Sequence, residues 1–121
     1  MDPTRNYIKY RLYRNHTTIY GLSFVKDLEK LGRDLSRTMI IDNLQDNFRL
    51  QPNNGIPIKT WNDDMNDNEL NYLCKFLKQL YTSPVKDVRY IIKSLREEIN
   101  SKLKKNIPYP NSQIDFNRFF K

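Results

Sequence analysis

Apolar positions fall into short separated runs in the first half of the chain and into two long helical stripes in the second. Tyr7 to Tyr13 alternates apolar and basic residues, a period of two that predicts a strand. Residues 17–20 predict a further short β segment closed by Gly21. A short helix is predicted from Asp27 to Leu31, with Gly32 ending it in the left-handed conformation that glycine adopts at low cost. Thr38-Met39-Ile40-Ile41 is continuously apolar and stops at Asp42-Asn43, as expected of a strand covered on both faces in a parallel sheet. Gly55 to Lys59 predicts another short strand, with Pro57 at its edge or end. In the polar turn that follows, Asn66 and Glu69 have the spacing of a helix-capping pair.

The second half then repeats one theme. Leu70, Leu73, Cys74, Leu77, Leu80 and Tyr81 recur at helical spacing, which makes Cys74 a core residue. Ser83-Pro84 is placed to cap and open a second helix, along which Val85, Val88, Ile91, Ile92, Leu95, Ile99 and Leu103 form the stripe. Residues 1–105 therefore read as one domain, and 106–121, with Phe116, Phe119 and Phe120, as an aromatic and basic tail. Strands followed by amphipathic helices argue an α/β fold.

Composition narrows the classes. The chain has 121 residues, 38% of them apolar, enough for a single core. No apolar run reaches membrane-spanning length, and the opening residues lack a signal-peptide pattern. One cysteine cannot form an internal disulfide, which fits a reducing compartment. The net charge of +7 invites an anionic partner. Between Lys86 and Lys105, however, seven basic residues face three acidic ones, so one helix carries much of the excess. A lysine-rich helix face without a nucleic-acid motif reads as solvated surface, and nucleic acid is the weaker of the anionic partners.

The acidic-amide pair Asp42-Asn43 stands at the carboxyl end of a predicted buried strand, where α/β sheets bind ligands. Both side chains offer hard oxygens suited to magnesium rather than zinc, although a strand-end aspartate more often only caps the next turn. His16, the single histidine, carries no catalytic assignment, and Trp61 reads as a packing residue first and the rim of a groove second.

Four stretches carry a resemblance: residues 10–14 (Tyr-Arg-Leu-Tyr-Arg), 25–35 (Val-Lys-Asp-Leu-Glu-Lys-Leu-Gly-Arg-Asp-Leu), 40–43 (Ile-Ile-Asp-Asn) and 51–58 (Gln-Pro-Asn-Asn-Gly-Ile-Pro-Ile). In order and spacing they resemble the NLI-interacting-factor-like, small C-terminal-domain phosphatase branch of the haloacid dehalogenase superfamily, and the likeness continues through Trp61, Asn66, Glu69 and Phe76 to about Ile92. It implies the C-terminal half of a haloacid-dehalogenase-like Rossmannoid domain, with a mostly parallel sheet and two C-terminal amphipathic helices. It further implies a magnesium-dependent serine/threonine phosphatase acting on phosphoserine proteins of the RNA polymerase II C-terminal-domain type, nuclear or cytoplasmic.

By the same resemblance Lys26 and Asp42 are catalytic: Lys26 pairs with the family's nucleophilic aspartate and neutralises the phosphoryl group, Arg14 contacts the bound oxyanion, Asn43 holds Mg2+ directly, and Asp42 holds it through water. The family's Asp-x-Asp-x-Thr nucleophile motif occurs nowhere in the sequence. Met1-Asp2-Pro3-Thr4 is similar to the middle of the family domain, so the chain is expected to start inside a domain and to be inactive by the covalent route. An unpaired sheet edge would then favour self-association. The alternatives are a non-catalytic module that binds phosphoproteins, or a relative of the receptor subunit of the mitochondrial inner-membrane translocase.

Overall fold

The computed structural model describes residues 2–105; the 106–121 tail and the Leu103 side chain lie outside the described residues. Two small sheets and two helices make up the frame. Strands β1 (Thr18–Tyr20) and β2 (Ser23–Val25) form an antiparallel hairpin in which Ile19 faces Phe24. Gly21, at the first turn position, has φ 60, which a side chain would resist. Strands β3 (Ile40–Asp42) and β4 (Gly55–Pro57) pair in parallel, with Asp42 opposite Pro57. The Ile58 N–H continues this ladder onto the Asp42 carbonyl at 3.0 Å. The fold is thus α/β, but its sheets are small and only one of the two pairs is parallel, against the expectation of a mostly parallel sheet.

Helices α1 (Glu69–Thr82) and α2 (Val88–Lys104) follow. They build the core with β4: Ile56, Leu73, Phe76, Leu80, Val88, Ile92, Leu95 and Ile99 are buried together, and Met39, Ile41 and Ile58 pack against them. The buried face of α1 runs through Leu73, Phe76 and Leu80. At about 100° per residue, Cys74 and Tyr81 fall on the far side of that face from Phe76. Both are exposed, and so is Leu70, which corrects the expectation that Cys74 lies in the core.

Two helix starts also differ from expectation, in each case because a carboxylate takes the capping role. The Asp67 side chain accepts the Glu69 N–H at 2.9 Å, while the Asn66 N–H is itself bonded to Asp64. At α2, Asp87 accepts the Arg89 N–H and grips the Arg89 guanidinium at 2.8 Å. Ser83 instead ends α1. An ionised carboxylate at a helix start meets both the free N–H groups and the positive end of the dipole.

The Tyr7–Tyr13 segment is not a strand. Its alternation finds no neighbour to pair with among the described residues, and Tyr7, Tyr10, Leu12 and Tyr13 are exposed. The buried Asp2 carboxylate fixes its start, accepting N–H groups from Asn6, Tyr7 and Ile8 at 2.9–3.3 Å. The short helix after β2 does form, as a single 3-10 turn over Leu28–Leu31, capped by Asp27 and ended by Gly32 at φ 63.

Candidate functional site

Lys26 leaves the end of β2 with its N–H bonded to the Asn47 carbonyl at 2.7 Å, so the hairpin is tied to the loop that follows β3. The next residues are held as firmly. Gln51 is buried, accepts the Leu28 N–H at 2.9 Å and donates to Asp27 at 2.8 Å. Lys26 is thus fixed at its backbone while nearly half of its side chain stays open to solvent.

Its ammonium is ion-paired with Oδ2 of Asp42, the last residue of β3, whose side chain is almost fully buried. Asp42 Oδ1 accepts the Leu44 N–H at 2.9 Å and the Asn47 amide at 3.1 Å. Burial raises the Asp42 pKa, but the Lys26 hydrogen bond, the Leu44 N–H, the Lys26 charge and Asn47 together outweigh it. The carboxyl is therefore held below the ordinary aspartate range and remains ionised. Asn43 is exposed and donates through its amide to Thr60 Oγ1 at 3.0 Å, which leaves its carbonyl oxygen as an acceptor.

Lys26 and Asn43 line two hollows. The larger, a cleft of about 1640 Å³, is shared with Arg14, His16, Phe24 and Asn47. The smaller, about 620 Å³, is shared with Asp42, Lys59, Trp61, Asp67 and Glu69. Arg14 lies in the turn before β1, its guanidinium 4.8 Å from the centre of the Phe24 ring. Lys26, Asp42 and Asn43 thus meet at one strand end, while Arg14 reaches the cleft from another element.

Several residues of this region were given no site role by the sequence. Asn47 and Gln51 sit in a polar loop whose composition reads only as connection. Glu69, half-buried, has one carboxylate oxygen out of solvent and without a hydrogen-bond partner. Burial and the neighbouring Asp67 charge push its pKa up to about 7, against a smaller opposing effect of Lys59. Trp61 is exposed on the rim of the smaller hollow, donating to the Asp64 carbonyl at 3.0 Å, and is not a packing residue.

The donor set for magnesium is partial. Asp42 already accepts three hydrogen bonds, and Asn43 offers one neutral oxygen. Among the described residues no group of three or more His, Cys, Asp and Glu side chains stands together, so these residues do not by themselves fit a complete magnesium site.

Against known proteins, residues 1–89 match the family model described as NLI interacting factor-like phosphatase. A Caenorhabditis elegans relative, CTD small phosphatase-like protein 3, is 47% identical over 93 residues, covering 77% of this chain and 32% of its own. A mitochondrial import inner membrane translocase subunit of Debaryomyces hansenii is 42% identical over 100 residues, covering 83% and 21%. The human carboxy-terminal domain RNA polymerase II polypeptide A small phosphatase 1 is 40% identical over 86 residues, covering 71% and 32%. The chain spans about a third or less of the length of these curated relatives.

Proposed function

The chain belongs to the NLI interacting factor-like phosphatase family of the haloacid dehalogenase superfamily, and on that footing we propose that it supplies the charge-stabilising half of a site that binds and dephosphorylates phosphoserine in proteins. The observation that carries the reading is the Lys26–Asp42 ion pair at the carboxyl end of a core strand, with Asn43 beside it and Lys26 facing an open cleft.

Phosphoryl transfer is eased chiefly by cations set on the phosphoryl oxygens. Lys26 does this directly, and Asp42 holds its ammonium in place. Arg14, entering the cleft from the other side, adds a planar donor suited to a phosphate. A magnesium ion would supply further charge neutralisation; Asn43 through its carbonyl oxygen, and Asp42 through water, are the residues toward it, with the remaining ligands from elsewhere.

The sequence holds no Asp-x-Asp-x-Thr pattern, so covalent hydrolysis requires an aspartate brought by another polypeptide segment seated against the cleft. The phosphatase relatives support substrates of the RNA polymerase II C-terminal-domain type and a nuclear or cytoplasmic place. The translocase relatives support instead a mitochondrial place and a role as a translocase subunit. Between copies of the chain, the free edge of β3 is the proposed contact.

The test is titration of the chain with a phosphoserine peptide. Binding is expected to weaken severalfold in Lys26→Ala and in Arg14→Ala, with no preference for nucleic acid at matched salt. Unchanged affinity, relative to the native chain, in both variants would reject the reading. Turnover of a small phosphate ester with magnesium is expected to be nil; turnover that vanishes in Lys26→Ala would instead establish an active enzyme.

A further inference from the structure

Two side chains help to close the turn that carries Arg14. His16 Nδ1 accepts the Tyr13 N–H at 2.8 Å, while the His16 N–H donates to the Tyr13 carbonyl at 2.9 Å. Thr17 completes the closure on the far side, donating to the Arg14 carbonyl through its N–H at 3.1 Å and its hydroxyl at 2.6 Å. An imidazole nitrogen takes this part only while it carries no proton. The His16 and Tyr13 rings lie 6.2 Å apart, tilted by 39°.

The guanidinium of Arg14 is exposed on this turn and rests on Phe24, whose place is set by pairing with Ile19 in the β1–β2 hairpin. Its direction into the cleft therefore depends on two supports: the Phe24 ring below it and the closed turn behind it. Among the described contacts no carboxylate holds Arg14, in contrast to Lys26, which Asp42 fixes. A turn of one residue triplet has little hydrogen bonding of its own, and the acceptor at its third position makes one of the four hydrogen bonds that keep it closed.

We propose that His16 is a positioning residue for Arg14: by accepting the Tyr13 N–H at Nδ1 it holds the guanidinium over Phe24 and toward the cleft, and anion affinity there depends on an acceptor at position 16. The inference rests on the reading of Arg14 as an anion-binding residue. A glutamine at the third position of such a turn reaches back to the same N–H, whereas leucine has similar bulk and no acceptor.

Inorganic phosphate and free phosphoserine are titrated by calorimetry onto the full chain and its variants at one ionic strength. His16→Leu is expected to weaken binding about fivefold, the effect of losing one neutral hydrogen bond. His16→Gln is expected to restore it to within about twofold. Adding His16→Leu to Arg14→Ala is expected to cause no further loss, because the two substitutions remove the same interaction. Unchanged affinity in His16→Leu, with Arg14→Ala weakened, overturns the positioning role and leaves the binding reading standing. Equal loss in His16→Leu and His16→Gln overturns the role of the acceptor. Wild-type affinity in Arg14→Ala overturns both.

Discussion

Two carboxylates near the Lys26 strand end titrate in opposite senses, and the difference lies in their partners. Asp42 has three donors and is held ionised; Glu69 has an oxygen out of water with no donor and lies near Asp67, so its neutral form is favoured. For Asp42, whose folded pKa is lowered, the stabilising contribution is full above the unfolded aspartate value and disappears as pH falls through the folded one. For Glu69 the sign reverses. Its contribution is full below about 4.5 and is lost as pH rises through about 7. Solvent at this half-buried position screens the effect to about 1 kcal/mol. Denaturant midpoints measured from pH 5 to pH 8 should fall with pH in the native chain and fall less in Glu69→Gln; parallel curves would contradict the assignment.

Elements in this chain are short, and what joins them is more exacting than what forms them. Gly55 opens β4 against Phe48, and a Cβ built there would lie 2.1 Å from the Phe48 ring. Both residues are buried, so the ring has little room to yield. Gly55→Ala is therefore expected to cost about 1–3 kcal/mol in a chemical unfolding titration, as overpacking of a filled core does. Gly32→Ala, with open space around it and only the left-handed backbone to strain, should cost about 1 kcal/mol. A smaller loss at Gly55 than at Gly32 would show that Phe48 moves aside.

The same contrast explains what the residues disclosed in advance. Periodicity located both helices, and the apolar run ending at Asp42-Asn43 located β3, because those signals are local. Which side of α1 is buried depends on where β4 and α2 lie, so Cys74 was misplaced. Tyr7–Tyr13 has strand alternation but no pairing partner, and alternation alone does not make a strand. At the candidate site, the family motifs singled out Lys26, Asp42 and Asn43, which the fold places at one strand end. Asn47, which completes the Asp42 cage, and His16, which helps to close the Arg14 turn, act through contacts that no spacing announces.

At the scale of the whole molecule the apolar surface is uneven. Helices α1 and α2 cover β4, while the other side presents Tyr10, Leu12, Tyr13, Leu22, Phe24 and Leu31 around the large cleft, with Leu22 fully exposed. Beside them β3 pairs only with β4 among the described residues, leaving its other edge as a template for a strand. An apolar cleft next to a free edge is costly to leave in water, and some polypeptide is expected to cover it. If that occupant is a second copy, sedimentation should show mass rising with concentration. Leu22→Lys, which sets a charge at the most exposed apolar position without touching the core, should shift the onset to higher concentration. A constant monomer mass over the whole range would reject self-association. If instead the face receives a segment carrying an Asp-x-Asp-x-Thr motif, as the proposed function requires, adding such a segment should suppress association and bring phosphatase turnover together, since both would depend on the same edge and cleft.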